Sequence, residues 1–397
     1  MRAQCFRTGL AAGAALLATT QWAAALDADD FAKKFAAAYA AQGAEITYDS
    51  ASGQGDTVTI KNVKMEMPGE EEGLNFGDLN FDGVSEDGSG GYNAASLSKD
   101  KIEFSAEDVR FSVSDLEVEN LYVPAETGGN TLDDLLFYDS VTTGPIVLNV
   151  EGNDVFQASR SVTKTSKNSD NTRVGFDSRI DGLDIDLGAV EDAQARQAID
   201  GMGYQTITGD IVINGYWALP TGEITLSEYA LTLDDVGRLD LQFSISGYTL
   251  DFIKGLQQMQ EQMASQSDDA KAQQAMGLAM MGMMQQLTFN SMSIRFDDAS
   301  LTNKILDMVA SQQGMSRDQM VQGLQGMLPL VLAQLQNPEF QKQVTEAVSL
   351  YLSDPKSIEI SAKPEAPLPF ASIAGSAMGA PQTLPQVMNV SVTANQN

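Results

Sequence analysis

The feature that most constrains this chain is a period-two alternation of apolar and polar residues, running with interruptions from Ala44 to about Gly247. It is clear in Thr57-Val58-Thr59-Ile60-Lys61-Asn62-Val63, in Phe111–Val118 and in Leu183-Asp184-Ile185-Asp186-Leu187. The longest run, Gly222–Gly247, carries Ile224, Leu226, Leu231, Leu233, Leu239, Leu241, Phe243 and Ile245. Successive side chains of an extended strand point to opposite sides, so the pattern predicts strands with one apolar and one wet face. Clusters of Gly, Asp, Asn and Ser at Ser52–Asp56, Ser85–Asn93, Glu126–Asn130 and Ser166–Asn171 read as turns between them. This is not the pattern of alternating β-α units. The fold class expected is α+β: one long twisted antiparallel β-sheet, a hairpin meander, with helices inserted in the C-terminal half and covering one face.

Helical spacing brackets the strands. Phe31, Phe35 and Tyr39 recur at i, i+4 and i+8, with acids in the first turn and Gly43 as a stop, which predicts a helix within residues 26–43. Residues 44–250 form the β-rich region, and 251–397 hold helical insertions plus returning strands of the same body. Ile253, Leu256, Met259 and Met263, then Met276, Met280, Met283 and Leu287, follow helical spacing before a strand at Thr288–Phe296. A second helical block covers Leu301–Leu352. Ser316 with Gln319 forms a capping box, and Asn337-Pro338 reads as a cap followed by a first-turn proline. Asp354-Pro355 ends the block. Ile358–Ala362 returns to the sheet, and Val387–Thr393 is expected as an edge strand.

Residues 1–25 read as a secretory signal peptide: Arg2 and Arg7, a short apolar run from Gly9 to Thr20, and Ala23-Ala24-Ala25 as a cleavage site. Cleavage would remove Cys5 and Trp22, leaving no thiol and Trp217 as the remaining tryptophan. Neither disulfides nor thiolate metal sites would then be available. The expected location is a bacterial periplasm, with no integral membrane segment after cleavage.

Composition narrows the chemistry. The 397 residues hold 24 Lys+Arg against 54 Asp+Glu, no histidine, and a formal net charge of −30. Without imidazole there is no Ser-His or Cys-His nucleophile pair and no His-ligated metal. The acidic excess argues against nucleic acid, which needs clustered Lys and Arg. The adjacent acids Asp133/Asp134, Asp234/Asp235 and Asp297/Asp298 offer carboxylate-dependent hydrolysis as an alternative reading, although so acidic a chain produces such pairs without function. Oxygen ligands for calcium exist at Asp82, Glu86 and Asp87, and at Asp181, Asp184 and Asp186, but neither set matches a calcium-loop pattern. Gly88–Gly91 lacks the Gly-Lys-Ser/Thr of a phosphate loop. The basic run Arg160–Lys167 reads as a hairpin edge protected by lysines. Methionines at helical spacing favour packing over soft-metal binding, and a flexible Met-rich helix over a curved sheet can close a groove. The candidate groove lining is Met276, Met280, Met283, Met284 and Trp217, and no cofactor is expected.

The stretch Trp217-Ala218-Leu219-Pro220-Thr221-Gly222 and the alternating run to Gly247 resemble the repeated β-meander of YdgA-like and AsmA-like bacterial envelope proteins. Ser353–Phe370 is similar to exported proteins of alphaproteobacteria. The resemblance implies envelope maintenance and lipid traffic along an apolar groove, and it carries no site residue. Its members usually keep a membrane anchor, which this sequence does not show. The function expected is therefore non-enzymatic binding of a hydrophobic ligand, a lipid or acyl chain, or of an envelope partner. A purely structural protein with a filled core is the alternative.

Overall fold

The computed structural model describes residues 26–66, 73–265, 277 and 279–396. The signal-peptide reading of 1–25 and the candidate Met276 lie outside the described residues. A helix, α1 (Ala28–Ala40), begins where the Asp27 carboxylate accepts a hydrogen bond from the Asp30 N–H at 3.0 Å. Its residues Ala28, Phe31, Ala32, Phe35 and Ala38 are buried, as the i, i+4 spacing requires.

The first strands are β1 (Glu45–Thr47), β2 (Ser50–Gln54), β3 (Thr57–Glu66), β4 (Leu74–Asp82), β5 (Ser85–Glu86), β6 (Tyr92–Ala106) and β7 (Val109–Val123). Next come β8 (Ser140–Thr143), β9 (Ile146–Val150), β10 (Asn153–Ala158), β11 (Arg160–Lys167) and β12 (Arg173–Asp186). The last are β13 (Thr206–Ala218), β14 (Glu223–Leu233), β15 (Gly237–Ser246), β16 (Thr288–Asp298), β17 (Ser357–Ala362), β18 (Leu368–Pro369) and β19 (Val390–Ala394).

All of them join one antiparallel sheet in chain order. β1 and β2 are two pieces of one broken strand along β3, and β8/β9 and β10/β11 are similarly broken strands between β7 and β12. From β12 the ladder runs through β13, β14, β15, β16 and β17 to β19. The expected meander is what the chain forms. The run Arg160–Lys167 is corrected: β11 is paired on both sides, with β8 and β12, so it is no edge.

Bulges keep the apolar residues on one face. Asn62, Asp115 and Asn120 adopt positive φ of 52°, 50° and 51°. At each the face shifts by one residue, so Ile60 is followed inward by Val63, Val113 by Leu116, and Val118 by Leu121. Asn and Asp tolerate this left-handed conformation better than other residues with a side chain, and an extra residue in one strand is what a bulge inserts.

Further helices are loops of this meander. They are α2 (Ala193–Met202), α3 (Leu250–Ser265), α4 (Leu301–Gln312), α5 (Arg317–Leu332), α6 (Pro338–Ser353), α7 (Phe370–Gly379) and the short α8 (Leu384–Val387). The helices α2 to α6 do not separate the strands they connect: β15 and β16 stay paired from Gly237↔Asp298 to Ser246↔Thr288, although α3 intervenes, whereas α7 and α8 lead from β18 on β16 to β19 on β17. The Ser316–Gln319 capping box opens α5, and the Asn337 side chain accepts from the Phe340 N–H at 3.1 Å to open α6. α2 is the helix that the otherwise β-rich span 44–250 contains. Asp192 caps it through the Ala195 N–H at 2.7 Å, and Gly203, at φ 73°, ends it. α7 is likewise a helix in a segment where no helical spacing was read.

The largest core lies under α1. Phe31 meets Phe81 edge-on at 4.9 Å and Tyr92 at 5.4 Å, above Val58, Ile60, Val63, Leu97 and Val118. A second packs α6 on β17 and β19 through Ala347, Tyr351, Val392 and Ala394. A smaller one gathers Leu306, Ala310, Met320 and Val321 between α4 and α5.

Candidate functional site

Between the α1 core and the α6 core, the sheet's apolar face has a hollow. Strand register aligns Val174, Phe176 and Ser178 of β12 with Trp217, Gly215 and Ile213 of β13. Val174, Phe176, Ile213 and Trp217 line a cavity of about 690 Å³, within the range of small-molecule sites. Its other walls are Thr163 and Thr165 of β11, the segment Leu135–Tyr138, the end of the α1 turn at Ala41 and Gln42, and Tyr248, Leu250 and Ile253 at the start of α3. Leu132, Leu219 and Leu250 form a buried cluster against which Leu135, Val174, Trp217 and Ile253 of the wall pack.

Several polar groups in the wall are partnered. Thr163 and Ser178 hydroxyls bond each other at 2.9 Å, and the Thr165 hydroxyl donates to the Tyr138 carbonyl. The Trp217 indole N–H donates to the Tyr248 carbonyl at 2.9 Å. Burial pushes the Tyr138 phenol above its ordinary value, so it stays neutral. What faces the space is predominantly hydrocarbon and aromatic ring.

α3 is pegged across this hollow at its rim. Gln257 donates to the Ala41 carbonyl at 2.9 Å, and Lys254 donates to the Asn130 side-chain oxygen at 2.6 Å. Asn130 in turn donates to Asp251 at 3.0 Å. Gly247, at φ +94°, makes the take-off possible: a Cβ there would sit 1.9 Å from the Gln286 carbonyl oxygen. On the opposite rim, the Lys167 ammonium lies 4.5 Å from the centre of the Phe137 ring and 3.6 Å from Asp133.

From the cavity the apolar face continues across the strands. Ile211↔Leu231, Leu231↔Leu239, Leu239↔Phe296, Leu241↔Ile294 and Ile294↔Ile360 are direct neighbours. Leu239, Met292, Ile294 and Ile360 remain exposed. The reverse face carries arginine-centred ion pairs. Arg238 reaches Glu228 at 2.6 Å and Asp240 at 3.1 Å, and Arg295 reaches Asp297 at 2.7 Å and Glu359 at 3.5 Å.

Among the described candidates, Met280, Met283 and Met284 do not join Trp217 in the cavity wall. Trp217 lines the cavity. Met283 approaches α3, its terminal methyl 3.6 Å from where a Cβ on Gly255 would stand. Met280 is exposed and Met284 half-buried, and neither is part of the cavity wall. The walls the sequence reading missed are Leu135–Tyr138, Val174, Phe176 and Ile213. Their signal was present: a dense Leu-Leu-Phe-Tyr run straight after a turn cluster, and alternation in β12 and β13.

Several acids considered for catalysis or calcium have structural partners. Asp134 accepts from Thr131, Asp234 from Thr208, and Asp298 from the Thr302 N–H and the Tyr351 hydroxyl. Asp82 accepts from Thr57, Asp87 from the Ser89 and Gly91 N–H groups, and Asp186 from the Gly188 N–H. Among the described residues, no group of three or more Asp, Glu, His or Cys is placed to hold a metal ion. No helix among them is long and apolar enough to cross a membrane.

Residues 230–395, from within β14 through β19, match the model of a family described as "Uncharacterized protein". No curated protein matches the chain.

Proposed function

We propose that this chain is an exported, non-enzymatic protein of the bacterial periplasm that shelters the apolar chain of a lipid. The observation that carries the reading is the 690 Å³ hollow, lined by Phe176, Ile213 and Trp217, with the Thr163 and Ser178 hydroxyls and the Trp217 indole N–H already paired. Such a space offers a long hydrocarbon a predominantly apolar surface, and an apolar cavity gains more from an apolar guest than from water. The resemblance of the β-meander to AsmA-like envelope proteins supports the same reading, as does the continuation of the apolar face towards Ile360. The ion pairs of Arg238 and Arg295 leave the reverse face of the sheet to solvent.

The test is native mass spectrometry of the protein purified from the exporting cell. The expected spectrum carries lipid mass above the bare chain, and Ile213→Trp, which fills the hollow, removes it. Added fatty acid should also shift the emission of Trp217 in the wild type. A bare-chain mass for the wild type, or an equal lipid load on Ile213→Trp, overturns the reading in favour of a structural protein.

A further inference from the structure

The face of the sheet that lines the cavity carries one charge on β11. Residues directly opposite each other in an antiparallel ladder project from the same side. Lys167 is opposite Val174, and Val174 is opposite Trp217, two residues of the cavity wall. The two-residue step from Thr165 to Lys167 keeps the lysine on that side, about 7 Å further along the strand. Of the four positions that β11 gives to this side, Ser161, Thr163, Thr165 and Lys167, only Lys167 is charged, and their partners on β12 and β13 are uncharged.

The surroundings of this lysine leave its donors unused. Its side chain is 20% exposed, and the ammonium lies 4.5 Å from the centre of the Phe137 ring and 5.6 Å from that of Tyr122. The nearest carboxylate, that of Asp133, is 66% exposed and stands at 3.6 Å, beyond hydrogen-bond length. Among the described residues the Lys167 ammonium donates no hydrogen bond. Lys254, on the other rim, differs: it donates to the Asn130 side-chain oxygen at 2.6 Å. A covered ammonium needs acceptors for its three N–H groups, and aromatic rings attract the charge without supplying a directed one. An apolar hollow with such a cation at its end suits a guest that is hydrocarbon with acidic oxygens at one tip.

Size limits the hydrocarbon. At about 30 Å³ per methylene-sized unit, the share of a water in the liquid, 690 Å³ holds roughly 20 units. One long acyl chain fits inside, and two do not. We infer that the guest is a single-chain amphiphile, a carboxylate or a phosphate, that seats its acidic oxygens on the Lys167 Nζ and lays its chain along Val174, Phe176 and Ile213. The inference rests on the reading of the hollow as a lipid site. The acidic body repels anions at long range, so the preference comes from direct charge-assisted hydrogen bonds and persists at physiological salt, where distant charges are screened.

The test compares laurate with dodecanol, one chain with and without the acid, on the delipidated full chain at physiological salt. Calorimetry and Trp217 emission read the affinities. Laurate is expected to bind about tenfold or more tightly than dodecanol. Lys167→Met combined with Asp133→Asn, which together keep the net charge, should erase that preference and leave dodecanol binding unchanged, whereas Lys167→Arg should retain it. Displacement of laurate by lysophosphatidylethanolamine assigns the acidic oxygens to a phospholipid, and its failure assigns them to a free fatty acid; either outcome supports the inference. Equal binding of laurate and dodecanol, or a laurate preference that survives in the double variant, overturns it and leaves the hollow a lipid site. Equal displacement by a diacyl phosphatidylglycerol overturns the single-chain assignment. Binding of neither probe overturns this inference and the cavity reading together.

Discussion

The strands under α1 and the strands from β12 to β17 carry the same alternation, yet one becomes a core and the other an open face. Under α1, Val58, Ile60, Phe81 and Val123 are fully buried because Phe31 and Phe35 descend onto them from an amphipathic helix. Across β13–β17, Ile211, Leu231, Leu241 and Ile294 occupy equivalent inward positions and stay half-buried or exposed. The difference lies in what is laid on top. Alternation produces a greasy face, but it becomes a core only where a second layer removes it from water. α3 does this partially, bridging the hollow at its rim without filling it.

The comparison breaks most easily at its largest contrast. Phe31→Ala should destabilise the protein by about 3–5 kcal/mol in urea unfolding, because it opens a cavity among close-packed rings. Ile360→Ala, on the open face, should cost under about 1 kcal/mol, since half of that side chain is already in water. Equal effects at the two sites would mean that the open face is covered in solution.

A middle-sized effect sharpens the role of the partial lid. Gly247→Ala forces a side chain into a left-handed position against the Gln286 carbonyl and should cost about 1–3 kcal/mol. Because Trp217 is bonded to the Tyr248 carbonyl next to this turn, its emission should move to the red as α3 lifts. An unchanged spectrum with unchanged stability would show that α3 is not held by this turn.

The smallest effect concerns pH. Hydrogen bonds from the Lys34 ammonium at 2.5 Å and the Tyr92 hydroxyl at 2.7 Å hold the Asp30 carboxyl below its ordinary value of 3.8. A depressed carboxylate pKa contributes stability above the unfolded value and loses it as pH falls through the folded one. Asp30→Asn should therefore flatten the decline of stability below about pH 4, by less than about 1 kcal/mol because the carboxylate is partly exposed. The α1 side of the molecule should show this dependence in amide exchange, and the β13–β17 face should not. Loss of the same acid limb from the open face would erase the contrast.

Much of the architecture was legible in the residues. The alternation, the turn clusters, the Ser316–Gln319 box and the Asn337-Pro338 cap each correspond to an element at its expected place. The bulges at Asn62, Asp115 and Asn120 were hidden because a one-residue insertion merely offsets a period-two pattern. α2 was hidden because its ten residues carry few apolar positions and none is buried. The site was less legible. Trp217 stood out by its rarity, whereas Met280, Met283 and Met284 stood out by number and lie outside the cavity wall. The cavity wall comes from segments far apart in sequence, Leu135–Tyr138, β11–β13 and α3, whose meeting no local pattern announces.

Read alone, the residues settle that the chain builds strands with one greasy side, that neighbours in sequence pair as neighbours in space, and that imidazole chemistry is absent. These follow from side-chain periodicity, turn chemistry and composition, all of which act over a few residues. Which part of the greasy side is sealed and where it stays hollow were decided by the three-dimensional arrangement. Those outcomes depend on where each inserted helix comes to rest, and burial is a property of what lies across from a residue and not of the residue itself.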